Sequence, residues 1–524
     1  MYFLVIMAFA FVLSDELPPE KLNLFKTATG QFASGTPLFG SLAFVAAQLG
    51  LVALGAVVSR RMTVARLTGP GPDYDRAMNT FSVWQRVLLV VIAVGMAATM
   101  IFTPWARVVR QGWGLGGLPL IDDFIIIAPF ITSLLIIWII QFPAESRIRS
   151  AFAAFDQEDE ADPPPSSQVA ASAALAAAKR RVANPTGSLF NHIADKLRHQ
   201  FLIIAVPMTF IVLAKHFMDI YRQDITNALR IPWAADSLLG CVSICVLAFA
   251  PVMLRYIWAT EPLPDGPLRD KLVRICDRIG LRYREILLWH THGMAVNAAV
   301  MGFVGPMRYI LVSDALLETM ADEEIEAVFG HEAGHVRHHH LQFFLVFVIL
   351  TMYISGGVLE FLIRNRLVTD PGNMQIIALG VLLISWLFGF GWISRQFERQ
   401  ADLFGVRCVT PDIRTCVDRC PIHGPEAAPG ICTAAAGLFG RTLSRIADLN
   451  GIPRDAPSWR HGTIQSRCEL LEKMASDGGK VGRFEFRIRA VKIGLLAATI
   501  LGTVIAERLY HDQFAEAIRR LLAD

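Results

Sequence analysis

Eight runs of about 17 to 25 residues in this chain are apolar almost throughout, and they constrain its fold more than any other feature. They cover 36–58, 87–105, 124–142, 200–220, 237–257, 341–363, 374–394 and 490–507. No soluble domain has an interior that buries eight such helices. A bilayer solvates them on every side and requires only that each backbone polar group be satisfied within its own helix. With 53% of its 524 residues hydrophobic and only 18% charged, the chain is predicted to be mainly α, a polytopic α-helical membrane protein. Met1–Leu13 is apolar too, but it is short for a span and lacks a basic n-region, so a signal peptide and a ninth helix both stay open.

Charge orders these spans. The segments 59–86, 143–199, 258–340 and 395–489 are basic, whereas 106–123, 221–236 and 364–373 hold two Lys or Arg each. Because Lys and Arg near span ends are retained in the cytoplasm, the four basic segments are predicted to be cytoplasmic. Topology thus explains the net charge of +3, and no basic stripe with interleaved aromatics offers a nucleic-acid surface. The predicted organisation is an N-terminal segment 1–35; five spans within 36–257, with a cytoplasmic linker 143–199; and the first part of a catalytic unit, 258–340. A membrane hairpin 341–394 follows, then the second part of that unit, 395–489, and a last span with its tail, 490–524. Within the linker, 156–187 runs from acidic residues through Pro163, Pro164 and Pro165 to Lys179, Arg180 and Arg181, as flexible or partly helical chain.

From Pro262 the pattern is that of a folded soluble unit: a helix near 266–279, β-rich stretches at Glu285–His290 and Tyr309–Ser313, then a long helix. Asp322, Glu323 and Glu324 open that helix, where carboxylates suit the positive end of its dipole. It carries His331-Glu332-Ala333-Gly334-His335. On a helix the two histidines stand one turn apart and aim two imidazoles at one ion, with Glu332 beside that ion as general base. Five residues can match by chance, so a second element has to support the reading. Glu398 and Asp402, spaced i, i+4 on the helix expected to leave the span near Ser394, provide it. Glu398 completes a His, His, Glu set around one Zn2+ and leaves a fourth position for water or substrate. Asp402 is placed to accept from the other ring nitrogen of a ligand histidine. The plainer alternative is an ion-paired helix face, with Arg395 and Arg399 as partners.

These residues resemble the membrane-bound gluzincin zinc metallopeptidase family that includes the CAAX prenyl endopeptidases and bacterial HtpX. The matching stretches are Val296-Asn297-Ala298, Arg308 to Leu317, His331 to His335 and Glu398 to Asp402, within Asn297 to Arg467. The resemblance implies a zincin-like α+β catalytic domain split by a transmembrane hairpin. It implies an edge strand at Asn297 and Ala298 that takes a substrate peptide by main-chain hydrogen bonds. It also implies that His461 stabilises the oxyanion and that Arg467 holds substrate or neighbouring carboxylates, although Gly462 stands where the family usually has proline.

His338, His339 and His340 extend the metal helix on this reading and serve as polar interface residues ahead of the span at Leu341. His290 and His292 flank a strand end without a recognisable partner. Cys241 and Cys245 read as small buried hydrophobes, and Cys276 and Cys468 are isolated. Cys408, Cys416, Cys420, Cys432 and His423 cluster in a segment expected to face a reducing compartment; they read as free thiols, an occasional disulfide or a second, structural zinc, but lack paired Cys-x-x-Cys knuckles.

The expected protein is a zinc metalloendopeptidase of a bacterial inner membrane, its active site facing the cytoplasm. It would act on membrane-associated or unfolded proteins in quality control, with peptide or protein substrates and the lipid bilayer as its partners and no nucleic acid. Processing of lipidated CAAX-type peptides is the alternative within the enzyme class, and a catalytically silent zinc-containing scaffold the alternative outside it.

Overall fold

A computed structural model describes residues 36–68, 74–118, 120–159, 188–229, 234–291, 296–368, 371–409, 420, 430–450 and 452–522. Met1–Leu13, residues 160–187 of the linker, His292, Cys416 and His423 lie outside them. The chain divides into two compact units, the change falling between Val246 and Leu247.

In the first unit, helices α1 (Thr36–Thr68), α2 (Tyr74–Phe102) and α3 (Ile121–Asp159) pack so that α1 runs along both others. Polar side chains couple them where apolar ones would only touch: the Gln48 amide donates to Ser133 Oγ at 3.1 Å, and the Gln141 amide to Ser59 Oγ at 2.9 Å. The fourth helix, α4 (Leu189–Ile220), contains a π-helical turn at Leu197–Phe201. Near the start of α3, Arg110 bridges Asp122 and Asp123 at 2.9 and 3.1 Å, and His216 stands 3.1 Å from Asp123.

Among the described residues, seven helices are long and apolar enough to cross a membrane. Each overlaps one of seven of the eight expected runs, and most extend beyond it, because a helix continues through the basic residues that end an apolar run. The eighth run, 374–394, falls on α9 (Pro371–Ile384), a π-helical turn, Ser385–Phe390, and the first turn of the helix that follows. Cys241 and Cys245, expected to be buried, are exposed on α5 (Ala234–Ile257). An apolar run does not mean a protein interior where acyl chains are the solvent.

The second unit is built around a four-stranded sheet of order β1-β2-β4-β3, from β1 (Thr260–Pro262), β2 (Glu285–Trp289), β3 (Ala298–Met301) and β4 (Tyr309–Ser313). Parallel β2 and β4 form its centre, and β1 and β3 add antiparallel edges. All five residues of β4 are buried, which fits its unbroken Tyr-Ile-Leu-Val run better than an alternating strand would. Leu272 of α6 (Pro267–Ile279), Ile286, Ile310, Val312 and Phe329 of α7 (Asp322–Arg337) share one apolar core.

Helix α8 (His340–Arg364) follows, and α9 continues through its π turn into α10 (Gly391–Cys408), which returns against α7. The hairpin therefore carries the second metal element back to the first. Helices α11 (Thr433–Leu449), α12 (Ile464–Ser476) and α13 (Gly478–Leu522) complete the unit.

The histidine run does not extend α7. That helix ends at Arg337, and His339 takes a left-handed conformation with φ of 57°. His340 then begins a new helix and turns inward, 1% exposed, away from any interface role. His290 has a partner after all: its Nε2 is 3.0 Å from Glu261.

Candidate metal centre

Close approach of α7 and α10 creates the site, and small residues permit it. A Cβ on Gly330 would stand 2.8 Å from Cys408 Cβ and 3.1 Å from Gly405 Cα; one on Gly334 would stand 3.1 Å from Ala401 Cα. These glycines precede the two motif histidines by one residue each, so where the backbones touch, the imidazoles project along the seam.

His331 Nε2 and His335 Nε2 are 3.3 Å apart. Glu398 brings its two carboxylate oxygens to 3.5 Å from His331 Nε2 and 3.6 Å from His335 Nε2. These separations test the fit to zinc. A tetrahedral ion with ligands at about 2.0–2.2 Å holds them about 3.3–3.6 Å apart, and two imidazoles with a carboxylate are a zinc donor set. The residues present fit the group.

Asp402 faces the other side of His331, its Oδ1 2.9 Å from His331 Nδ1. Arg467, itself buried, grips Asp402 in a fork, with Nε 2.8 Å from Oδ2 and NH2 on Oδ1. Sequence left Arg467 a choice between substrate and neighbouring carboxylates; its guanidinium lies on Asp402, with Glu398 3.8 Å away. Arg395 donates instead to the Trp459 carbonyl at 2.8 Å.

Burial disfavours a charged His331, but the Asp402 and Glu398 carboxylates outweigh it and push its pKa up to about 10. His335, buried beside that cation, is driven down to about 3. Burial likewise opposes ionisation of Glu398, yet His331 and His461 hold it well below the ordinary carboxylate range. Glu332 goes the other way: burial raises it, and His331 and the Val300 N–H only partly compensate.

That Val300 contact places the edge strand. Ser313 N–H bonds the Asn297 carbonyl at 3.0 Å, so Asn297 turns its backbone to β4. By the alternation of an antiparallel pair, Ala298 and Val300 present their polar groups at the open edge. Asn450 caps the approach to this edge, accepting from Val296 N–H at 3.3 Å and donating to its carbonyl at 3.2 Å. A cavity of about 420 Å³ runs between edge and helices, lined by His331, Glu332, His335, Glu398, Asn297, Val300, His461 and Arg467, with Phe439, Leu443 and Ile446 as apolar wall.

His461 stands half-exposed at the cavity with Nδ1 2.9 Å from Glu398. The glycine after it has φ of 76°, which proline, fixed near −65°, cannot adopt. The departure from the family pattern therefore accompanies a different backbone at this turn.

Cys408, Cys420 and Cys432 are all buried, the last two in an apolar cluster with Phe397 and Phe439. Sequence reasoning missed Val300, Asn450, His340, Gln400 and Lys492, whose places depend on pairings between distant segments.

A helical chain with several apparent spans, in which a His-Glu-x-x-His helix meets a carboxylate from a facing helix, has the layout of a membrane-bound metallopeptidase. Residues 262–417 match the family described as Peptidase family M48. It is 28% identical over 191 residues to CAAX prenyl protease 1 homolog of Arabidopsis thaliana, covering 33% of this chain and 44% of that one. It is 29% identical over 155 residues to Protease HtpX of Xylella fastidiosa, covering 27% and 52%. The chain thus spans about half the length of these relatives. The crystal structure of S. mikatae Ste24p aligns at 16% identity with a TM-score of 0.48, over 84% of this chain and 99% of that one.

Proposed function

We propose that this protein is a zinc-dependent endopeptidase that cleaves membrane-associated or unfolded protein chains at the cytoplasmic membrane face, in membrane-protein quality control. The observation that carries the reading is the triangle of His331, His335 and Glu398, with ligand atoms 3.3–3.6 Å apart, beside Glu332 and an open strand edge.

His331, His335 and Glu398 would hold the zinc, which when bound lowers the pKa of a water and polarises the scissile carbonyl. The chain's own residues do the rest. An extended peptide lies against β3 and bonds Ala298 and the Val300 carbonyl, as an added strand does. Glu332, whose buried carboxyl is raised in pKa and so is a stronger base, takes the proton of the attacking water and passes it to the leaving amine. His461, at the cavity, donates to the oxyanion. Asp402 and Arg467 act behind His331 and fix its ring. Phe439, Leu443 and Ile446 exclude water and accept an apolar substrate side chain.

Processing of lipidated CAAX-type peptides is the second reading, favoured by the name of the Arabidopsis relative and by the five expected spans ahead of the first metal element. Cleavage of an unfolded protein substrate by wild type and by Glu332→Gln, with zinc content measured on both, tests the main reading. Equal zinc, with activity lost by about 10²-fold or more in the variant, is expected. Equal activity in the two, or no cleavage by wild type of either unfolded or lipidated substrates, would sink it and favour the silent scaffold.

A further inference from the structure

We propose that Lys492, Gln400 and His340 form a positioning chain that fixes His335 in the tautomer whose Nε2 lone pair faces the metal. The proposal rests on the metal reading above and extends it to residues outside the motif.

The protons can be assigned in order. Lys492 Nζ, on α13, lies 2.7 Å from the His338 carbonyl and 3.0 Å from the Gln400 side-chain oxygen. An ammonium only donates, so the Gln400 atom that meets it is the acceptor Oε1 and not the amide nitrogen. The same oxygen is 3.0 Å from His340 Nε2, which must therefore donate to it. A neutral imidazole has a single N–H, so His340 Nδ1 is bare. It lies 2.9 Å from His335 Nδ1, and one proton must sit between them; that proton belongs to His335. His335 Nε2, 3.3 Å from His331 Nε2, is then bare and faces the position the two share.

The arrangement needs the His340 lone pair on Nδ1, since an N–H there would make His335 the acceptor and put its own N–H on the metal side. The ring cannot exchange its nitrogens by turning, because it is 1% exposed and stacked on Phe397 with centroids 4.3 Å apart and planes 6° from parallel. The two ligand histidines are thus oriented differently. His331 leans on a carboxylate, and His335 on a neutral ring whose polarity is set from the last helix.

The test is zinc affinity of the full-length, detergent-purified protein, measured by competition with a chromogenic chelator, for wild type, His340→Phe and His340→Gln. Phenylalanine keeps the stacked ring and removes the acceptor; glutamine supplies a carbonyl for the His335 N–H. The expected result is a 10–100-fold loss of affinity in His340→Phe, most of it recovered in His340→Gln. The metal-free protein should fold in all three, with the midpoint lowered in His340→Phe by the polar groups it leaves unpaired and less so in His340→Gln. An affinity for His340→Phe within about threefold of wild type would overturn the proposal. So would equal losses in both variants accompanied by equally lowered metal-free midpoints, the mark of a packing residue. Failure of wild type itself to bind zinc, or full binding by His331→Ala, strikes instead at the metal reading.

Discussion

Asp402 shows how much of this site hangs on single buried groups. It is held by two guanidinium nitrogens and faces the ring of His331, with almost no exposure. Replacing it with Asn leaves buried Arg467 without its nearer counterion and with only Glu398 at 3.8 Å, at a cost of up to roughly 3–5 kcal/mol. Thermal unfolding of Asp402→Asn should show a loss of that size, and Arg467→Lys, which cannot fork, should lose part of it. A wild-type midpoint in both would mean that the pair is not buried as described. His331 makes a pH prediction. Its folded-state pKa of about 10 lies above the ordinary 6.5, so its carboxylate contacts stabilise the metal-free protein fully below about pH 6.5 and are lost as pH rises through about 10. Zinc replaces the Nε2 proton, so apparent zinc affinity should rise across that same window. Calorimetry at pH 8 in buffers of differing ionisation enthalpy should register about one proton released per zinc bound; none released would contradict the assignment. The motif histidines, Glu398 and Asp402 were legible because helical spacing alone puts them on usable faces. The partner of Arg467 was not, since no local pattern joins residues 65 positions apart.

At the scale of elements, the contact of α7 with α10 decides whether the ligands meet. Ala is the better helix former by about 1 kcal/mol, so Gly330→Ala would stabilise an isolated helix. Here its methyl would enter the space of Cys408 Cβ and Gly405 Cα, which belong to the opposing helix and cannot swing aside. Overpacking costs about 1–3 kcal/mol and outweighs the propensity gain. Gly330→Ala should therefore lower the thermal midpoint and weaken zinc binding together, whereas an unchanged or raised midpoint would show that the helices are farther apart. Sequence placed α6, β2, β4 and α7 within a few residues, because turn residues and apolar runs mark them out. It missed the break at His339: three histidines in a row continue a helical pattern as well as they end one, and only the inward turn of His340 onto Gln400 and Phe397 favours the break.

For the whole molecule, the alternation of basic and sparsely charged segments predicts one face bearing 59–86, 143–199, 258–340 and 395–489. In a cysteine-free background, single cysteines placed in 221–236 should react with a membrane-impermeant thiol reagent in intact cells. Those placed in 395–489 should react only after lysis, and the reverse pattern would invert the orientation. The spans were legible because apolar length is a property of one segment at a time. The cavity was not, since its walls come from the edge strand, α7, α10, α11 and the turn at His461, which no single window contains. The central claim is that one zinc sits between His331, His335 and Glu398. Zinc-edge X-ray absorption on the purified full-length protein tests it most directly. The account requires two imidazole nitrogens and oxygen at about 2.0–2.2 Å with no sulfur, and loss of the signal in His331→Ala; a sulfur shell near 2.3 Å that survives that substitution would place the metal among the cysteines and contradict it.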